Sequence, residues 1–152
     1  MGVQIVTMHR TYYHLPENTD LSDEGKRKFR KGLTDMVKYN ELPSKVVPYD
    51  ECNLIGSSVP DTRLHMPMFD VDDNGYLEYM SMCFPNGIWI PSRTPLHWHL
   101  YVQCAMPWNA CTALLHHYTG LGCIDRVWAA ACLDQYQMFL RKPICGPGDF
   151  QP

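Results

Sequence analysis

Three groups of residues in this chain have types and spacings that could do chemistry. Asp70, Asp72 and Asn74 occupy alternate positions before Gly75, offering oxygen ligands of the kind a hard divalent cation such as calcium takes. His97 and His99 flank one residue, His116 and His117 are adjacent, and Cys104 and Cys111 lie between the two pairs. Such imidazoles and thiols are the donors zinc prefers, and a thiol next to an imidazole is also the starting point of a Cys–His nucleophile. If the segment holding His97 and His99 is helical, the two rings point about 200° apart and do not converge. The sequence contains no glycine-rich phosphate loop, nucleophile elbow or H-E-x-x-H. No catalytic, cofactor-binding or metal-ligating residue is therefore assigned and no cofactor is expected. Asp70, Asp72 and Asn74 are the metal candidates that remain.

The stretch from Phe69 to Phe84 must position those carboxylates, and it reads in two ways. Asp70, Asp72, Asn74 and Gly75 fall on the first, third, fifth and sixth positions of a D-x-[DN]-x-[DN]-G loop, with Leu77 on the eighth. Over these dozen residues the chain resembles the EF-hand family, which implies a calcium-binding module. The pattern departs at the twelfth position, where Ser81 replaces the glutamate that supplies two oxygens. Pro67 and Pro85 also interrupt the two flanking helices. The second reading is a hairpin. Asn74-Gly75 suits a type I′ turn and Asn86-Gly87 repeats the signal. This reading accounts for more residues and predicts a three-strand antiparallel meander over about 64–90: Leu64–Val71, Tyr76–Phe84 and Ile88–Ile90.

Around this meander the pattern predicts an α+β fold in a single domain of 152 residues. Residues 1–21 read as an extended arm. Ser22 caps an amphipathic helix over 22–39, with Phe29, Leu33, Met36 and Val37 at helical spacing and the Lys and Arg residues on the solvated side. Residues 40–63 are rich in proline and serine and read as an irregular linker. Thr94-Pro95 looks like a helix start. From there a helical hairpin is expected over 95–141, kinked at Pro107, turning at Gly120–Gly122, with a last helix from Cys123 to Arg141 and a tail over 143–152.

Charge divides the chain unevenly. Residues 94–152 carry three of the thirteen Lys and Arg and three of the sixteen Asp and Glu, and Thr94–Ile124 carries none. Four histidines, a glutamine and an asparagine in that run argue against a membrane-spanning helix. A surface helix normally shows charge on one face, so Thr94–Ile124 is expected to be covered, and other protein subunits are the expected partners. The net charge of −3 leaves no footprint for nucleic acid. The N-terminus lacks a secretory pattern, and Val6 stands where a myristoylation motif needs Ser or Thr.

Five of the seven cysteines lie in or after the expected hairpin. In this the chain resembles the Cys-bearing helical-hairpin accessory subunits of mitochondrial respiratory complexes. Its spacings differ between the arms, six residues between Cys104 and Cys111 and eight between Cys123 and Cys132, so the family's disulfide pattern is not carried over. Cys123 and Cys132, on opposite faces of one expected helix, should not be bonded to each other. The charge-poor C-terminal half, the proline-studded segments and the lack of a catalytic set point to a non-catalytic accessory subunit of a large assembly. The resemblance implies the mitochondrial respiratory chain, with the cytoplasm as the alternative location. A calcium- or metal-binding module on Asp70, Asp72 and Asn74 and a small Cys/His enzyme are the rival functions.

Overall fold

In a computed structural model the chain folds as mixed α+β. The structure describes residues 6–15, 19–38, 46–72 and 75–143, with the backbone alone for 32–38. In chain order the elements are β1 (Thr11–Tyr13), α1 (Asp23–Lys38), a 3-10 turn (Tyr49–Glu51), β2 (Leu54–Gly56), β3 (Leu64–His65), β4 (Met68–Asp72), α2 (Leu77–Cys83), β5 (Ile88–Pro91), β6 (His97–Tyr101), β7 (Met106–Pro107), α3 (Trp108–Gly120), α4 (Arg126–Gln135) and β8 (Phe139–Arg141).

Three small antiparallel sheets result, with strand orders β1-β2-β8, β3-β7 and β4-β6-β5. The last is the centre of the molecule. Phe69 pairs with Leu100 and Trp89 pairs with the same Leu100 across the sheet. These residues share one face, since side chains alternate along a strand. On that face Phe69 meets Phe84 and Tyr118, with ring centroids 5.6 Å and 5.7 Å away, and so fastens the sheet to α2 and α3. The opposite face carries Met68, Asp70, Asp72, His97, His99 and Tyr101.

Two expectations fail here, each for a physical reason. Tyr76–Phe84 is not the middle strand of a meander; Leu77–Cys83 is helix α2. Its buried residues are Leu77, Met80 and Ser81, the i, i+3, i+4 set of a helix, and Gly75 (φ +95°) provides the turn into it. The segment after Pro95 is not a helix. Leu96, at φ 64°, turns the chain back, and His97–Tyr101 becomes the central strand between β4 and β5.

The rest of the expected hairpin is partly different as well. α3 begins directly after Pro107 and ends at Gly120. The last helix is shorter than expected, because Tyr136 takes a left-handed conformation (φ 55°) at its end. Phe139–Arg141 is then a strand paired with β2. β2 itself lies in the stretch read as linker, and β1 in the stretch read as an arm; residues 1–5, 16–18, 39–45 and 144–152 lie outside the described residues. Cys123 precedes α4 while Cys132 lies within it, and both are free thiols. The basic face of α1 is exposed at Lys26, Arg27, Lys28 and Arg30.

Arg10 ties the N-terminal segment to this core. It is 2% exposed, and all five of its N–H donors are used. Nε donates to the Met66 carbonyl, Nη1 to the Val6 carbonyl and Gln103 Oε1, and Nη2 to the carbonyls of Pro67 and Val102. Its guanidinium lies over the Tyr101 ring, 5.1 Å from the centroid. Burial pulls its pKa down to about 10, which still leaves it charged at neutral pH. Five directed acceptors replace the water it has lost.

The charge-free run is covered only in part by the chain itself, since positions such as Gln103, Asn109, His116, His117 and Leu121 are exposed. Leu100, Tyr101, Cys111, Leu115 and Cys123 are each 0% exposed. A strand paired on both edges and packed on both faces has no surface on which to place charge. No helix among the described residues is long and apolar enough to cross a membrane.

Candidate functional site

The register of β4 on β6 places Asp70 opposite His99 and Asp72 opposite His97. A strand repeats every two residues, so both carboxylates and both imidazoles fall on one face. His97 Nδ1 lies 2.6 Å from Asp72 Oδ1, with both side chains about one-third exposed. The inner pair is looser. His99 Nε2 is 3.6 Å from Asp70 Oδ1, beyond hydrogen-bonding reach, and Asp70 Oδ1 is buried with no hydrogen-bond partner.

Burial sets the electrostatics of the inner pair. Asp70 is pushed up to about 6, first by desolvation and then by the nearby carboxylates of Asp72 and Asp125, with His97 acting the other way. A bridge between Val71 and Ile124 brings Asp125 alongside; its own carboxylate caps α4 through the backbone N–H groups of Val127 and Trp128. His99 is pulled down to about 4, again mainly by desolvation, with His97 and Arg141 adding to it. At neutral pH His99 is therefore an uncharged imidazole beside a carboxylate whose Oδ1 lacks a donor.

Asp70 and His99 open into a cavity of about 390 Å³. It lies between this face of the central sheet, the sheet formed by β1, β2 and β8, and helix α4. Leu54, Pro91, Trp128 and Phe139 supply apolar walls, and Arg93, Arg141 and Lys142 also line it. Arg93 and Arg141 are exposed, so they form its outer edge. Lys142 is anchored: Nζ donates to the Tyr49 carbonyl at 2.8 Å and lies over the Tyr49 ring. Trp128 is fixed by its indole N–H, which donates to the Phe139 carbonyl at 2.8 Å. Cys132 is 1% exposed on the inner wall, and burial pushes its thiol up to about 12, far from the thiolate a nucleophile needs.

The chain matches no known protein family, no curated protein and no solved structure.

The sequence candidates are distributed as follows. Asp70 and Asp72 have their backbone paired along β4, where the EF-hand reading expects the start of a loop. Asn74 lies outside the described residues, and Ser81, at the twelfth loop position, is buried on α2. His97 and His99 converge on one face because their segment is a strand, contrary to the helical expectation. His116 and His117 are exposed on α3, Cys104 is exposed and Cys111 is buried. Among the described residues no group of three or more His, Cys, Asp and Glu side chains is placed to hold a metal.

Sequence reasoning missed the pairing of Asp70 with His99 and the presence of Arg93, Trp128, Arg141 and Lys142 around the cavity. Two i, i+2 motifs, Asp-x-Asp and His-x-His, were the available signal, since both match strand periodicity. A further pair has the look of a catalytic dyad. Ser57 Oγ lies 2.9 Å from His65 Nδ1. Ser57 is 0% exposed and also accepts from the Met138 N–H. The hydroxyl is thus held inside the core and serves as a structural link between β2, β3 and β8.

Proposed function

We propose that this chain is a non-catalytic binding module that takes a small, partly apolar anion into the cavity beside Asp70 and His99. The observation that carries this reading is the cavity's composition. Fixed aromatic and aliphatic walls offer an apolar body a place to bind, and the exposed arginines at the edge offer charge complementarity to an anion. A concave, mainly apolar site with a few convergent polar groups is the usual form of a small-molecule pocket. The reading also fits the absence from the sequence of an established catalytic motif.

Anilinonaphthalene sulfonate, an aromatic anion, is a suitable probe. Titration should give saturable binding at one site, monitored by dye fluorescence and by the indole signal of Trp128. Ala131 lines the cavity, so Ala131→Trp fills it and should abolish that site while circular dichroism stays unchanged. A folded Ala131→Trp variant that binds the dye as tightly as the parent overturns the proposal.

A second reading, the accessory subunit of a multiprotein assembly, is favoured by exposed apolar side chains. Met82 and Val127 are each 78% exposed, Leu96 71% and Tyr136 67%, and a contiguous patch built from such side chains is what a partner protein covers. In that reading the mitochondrial respiratory chain is the proposed assembly. A purified chain that stays monomeric and soluble at high concentration counts against it.

A further inference from the structure

The charges around the cavity are separated, and the separation identifies the ligand more closely. On the inner side Asp70 lines the cavity, and Asp72 and Asp125, which do not line it, lie near enough for their charges to act on it. Asp72 is paired with His97, and Asp125 is committed to the N-terminus of α4. Asp70 Oδ1 and Asp72 Oδ1 are both buried without a hydrogen-bond partner, but Asp72 Oδ1 has His97 Nδ1 at 2.6 Å, whereas Asp70, the one of the two that lines the cavity, has His99 Nε2 no nearer than 3.6 Å. On the outer side stand Arg93 and Arg141, with Lys142 anchored behind them. The rest of the lining is mainly apolar, with Ser92, Thr94 and Gln135 among it.

A simple anion would satisfy the arginines and leave Asp70 with its oxygen still unpartnered and now further from water. A buried acceptor without a donor is costly. A ligand that brings a donor removes this cost, and a protonated amine also offsets the inner carboxylates.

Resting on the pocket reading above, we infer that the ligand is a small zwitterion: a protonated amine set against Asp70, an apolar body along Trp128 and Phe139, and a carboxylate held by Arg93 and Arg141.

The test uses the full chain and three probes of one shape. Para-aminomethylbenzoate carries both charges, para-methylbenzoate lacks the amine, and benzylamine lacks the carboxylate. Each is titrated against bound anilinonaphthalene sulfonate and followed by displacement. The zwitterion should bind about tenfold or more tightly than either partial probe, the gain expected of a charge-assisted hydrogen bond in a desolvated site. In Asp70→Asn the advantage over para-methylbenzoate should disappear. Arg141 is exposed, so Arg141→Gln keeps the fold; it should weaken the zwitterion and para-methylbenzoate alike and leave benzylamine unchanged.

Para-methylbenzoate binding as tightly as the zwitterion, or an amine advantage that survives in Asp70→Asn, overturns the inference. If the dye occupies the cavity and none of the three probes displaces it, the inference fails and the pocket reading stands. If the dye does not bind, both fail.

Discussion

Asp70 and His99 should oppose each other in the pH dependence of stability, and removing either one should expose the other. The carboxyl of Asp70 rises from 3.8 to about 6 on folding. Between those values the folded state holds a proton that the unfolded state has released, so stability falls as pH rises through the window. At about 1.4 kcal/mol per pH unit this amounts to at most about 3 kcal/mol, a ceiling because the Asp70 side chain remains 25% exposed. His99 falls from 6.5 to about 4. Between those values the unfolded state holds the proton, so stability rises with pH, again by about 3 kcal/mol at most. The two slopes nearly cancel in the parent protein. Desolvation leads both shifts, so removing one group leaves the main cause of the other in place.

Asp70→Asn removes the falling contribution. Relative to the parent, the variant should gain stability steadily from about pH 4 to about pH 6, by up to about 3 kcal/mol, and the difference should be flat above that. His99→Gln should do the reverse, losing ground to the parent as pH rises to about 6.5. Urea denaturation at half-unit steps from about pH 4 to about pH 7.5 measures this, provided the slope against urea stays constant. The comparison with the parent cancels the ordinary carboxylates, which titrate in all three proteins. A stability difference independent of pH for Asp70→Asn would show that Asp70 ionises normally in the folded state, and the electrostatic account of the site would be wrong.

Three other outcomes follow from the structure. Arg10→Met removes five hydrogen bonds, although the Val6 and Pro67 carbonyls keep the Gln103 side-chain amide and the Val102 N–H as donors. At about 1–3 kcal/mol for each buried acceptor left unsatisfied the variant should lose about 3 kcal/mol or more; a urea midpoint near that of the parent would refute the assignment of those bonds. Leu96 is 71% exposed at φ 64°, so Leu96→Gly should relieve backbone strain and stabilise by about 0.5–1 kcal/mol, with a lower melting temperature as the contrary result. Calorimetric titration with calcium should show no saturable site, because Asp70 and Asp72 belong to a paired strand; binding tighter than about 1 mM that is lost in Asp70→Asn would restore the EF-hand reading.

The sequence made some elements legible and concealed others for identifiable reasons. The helix after Ser22 was legible from its cap and periodicity, and α3 from Pro107 and Gly120, because those signals are local. Tyr76–Phe84 was not. Its alternation suggested a strand, while Leu77, Met80 and Ser81 also fit a single helical face, and a stretch this short contains both periods. Tertiary packing against Phe69 and Tyr118 decided between them. Thr94-Pro95 carried a true start signal for a helix, yet a left-handed Leu96 follows it, a conformation that no rule of composition assigns to leucine. That single turn converts the following residues into the strand at the centre of the sheet. It also accounts for the lack of charge over His97–Tyr101, though not for the exposed uncharged positions later in Thr94–Ile124, such as Asn109, His116 and His117.

The candidate site depends on that same turn. Asp-x-Asp and His-x-His have chemical meaning together only if both are strands and only in one register, since a slip of one residue would send both imidazoles to the opposite face. What holds the register is the other side of the sheet. Phe69, Leu100 and Trp89 are buried there, and a slip would expose them while burying His99 among aromatic rings. Burying three large apolar side chains is worth several kcal/mol, at about 1.5–3 kcal/mol each. Holding one unpartnered carboxylate oxygen and one neutral imidazole in the cavity wall costs a comparable amount, by the shifts worked out above. The apolar face thus supplies the stability that keeps Asp70 and His99 in an environment neither would adopt alone, and a ligand that brought Asp70 its missing donor would recover part of that cost as affinity.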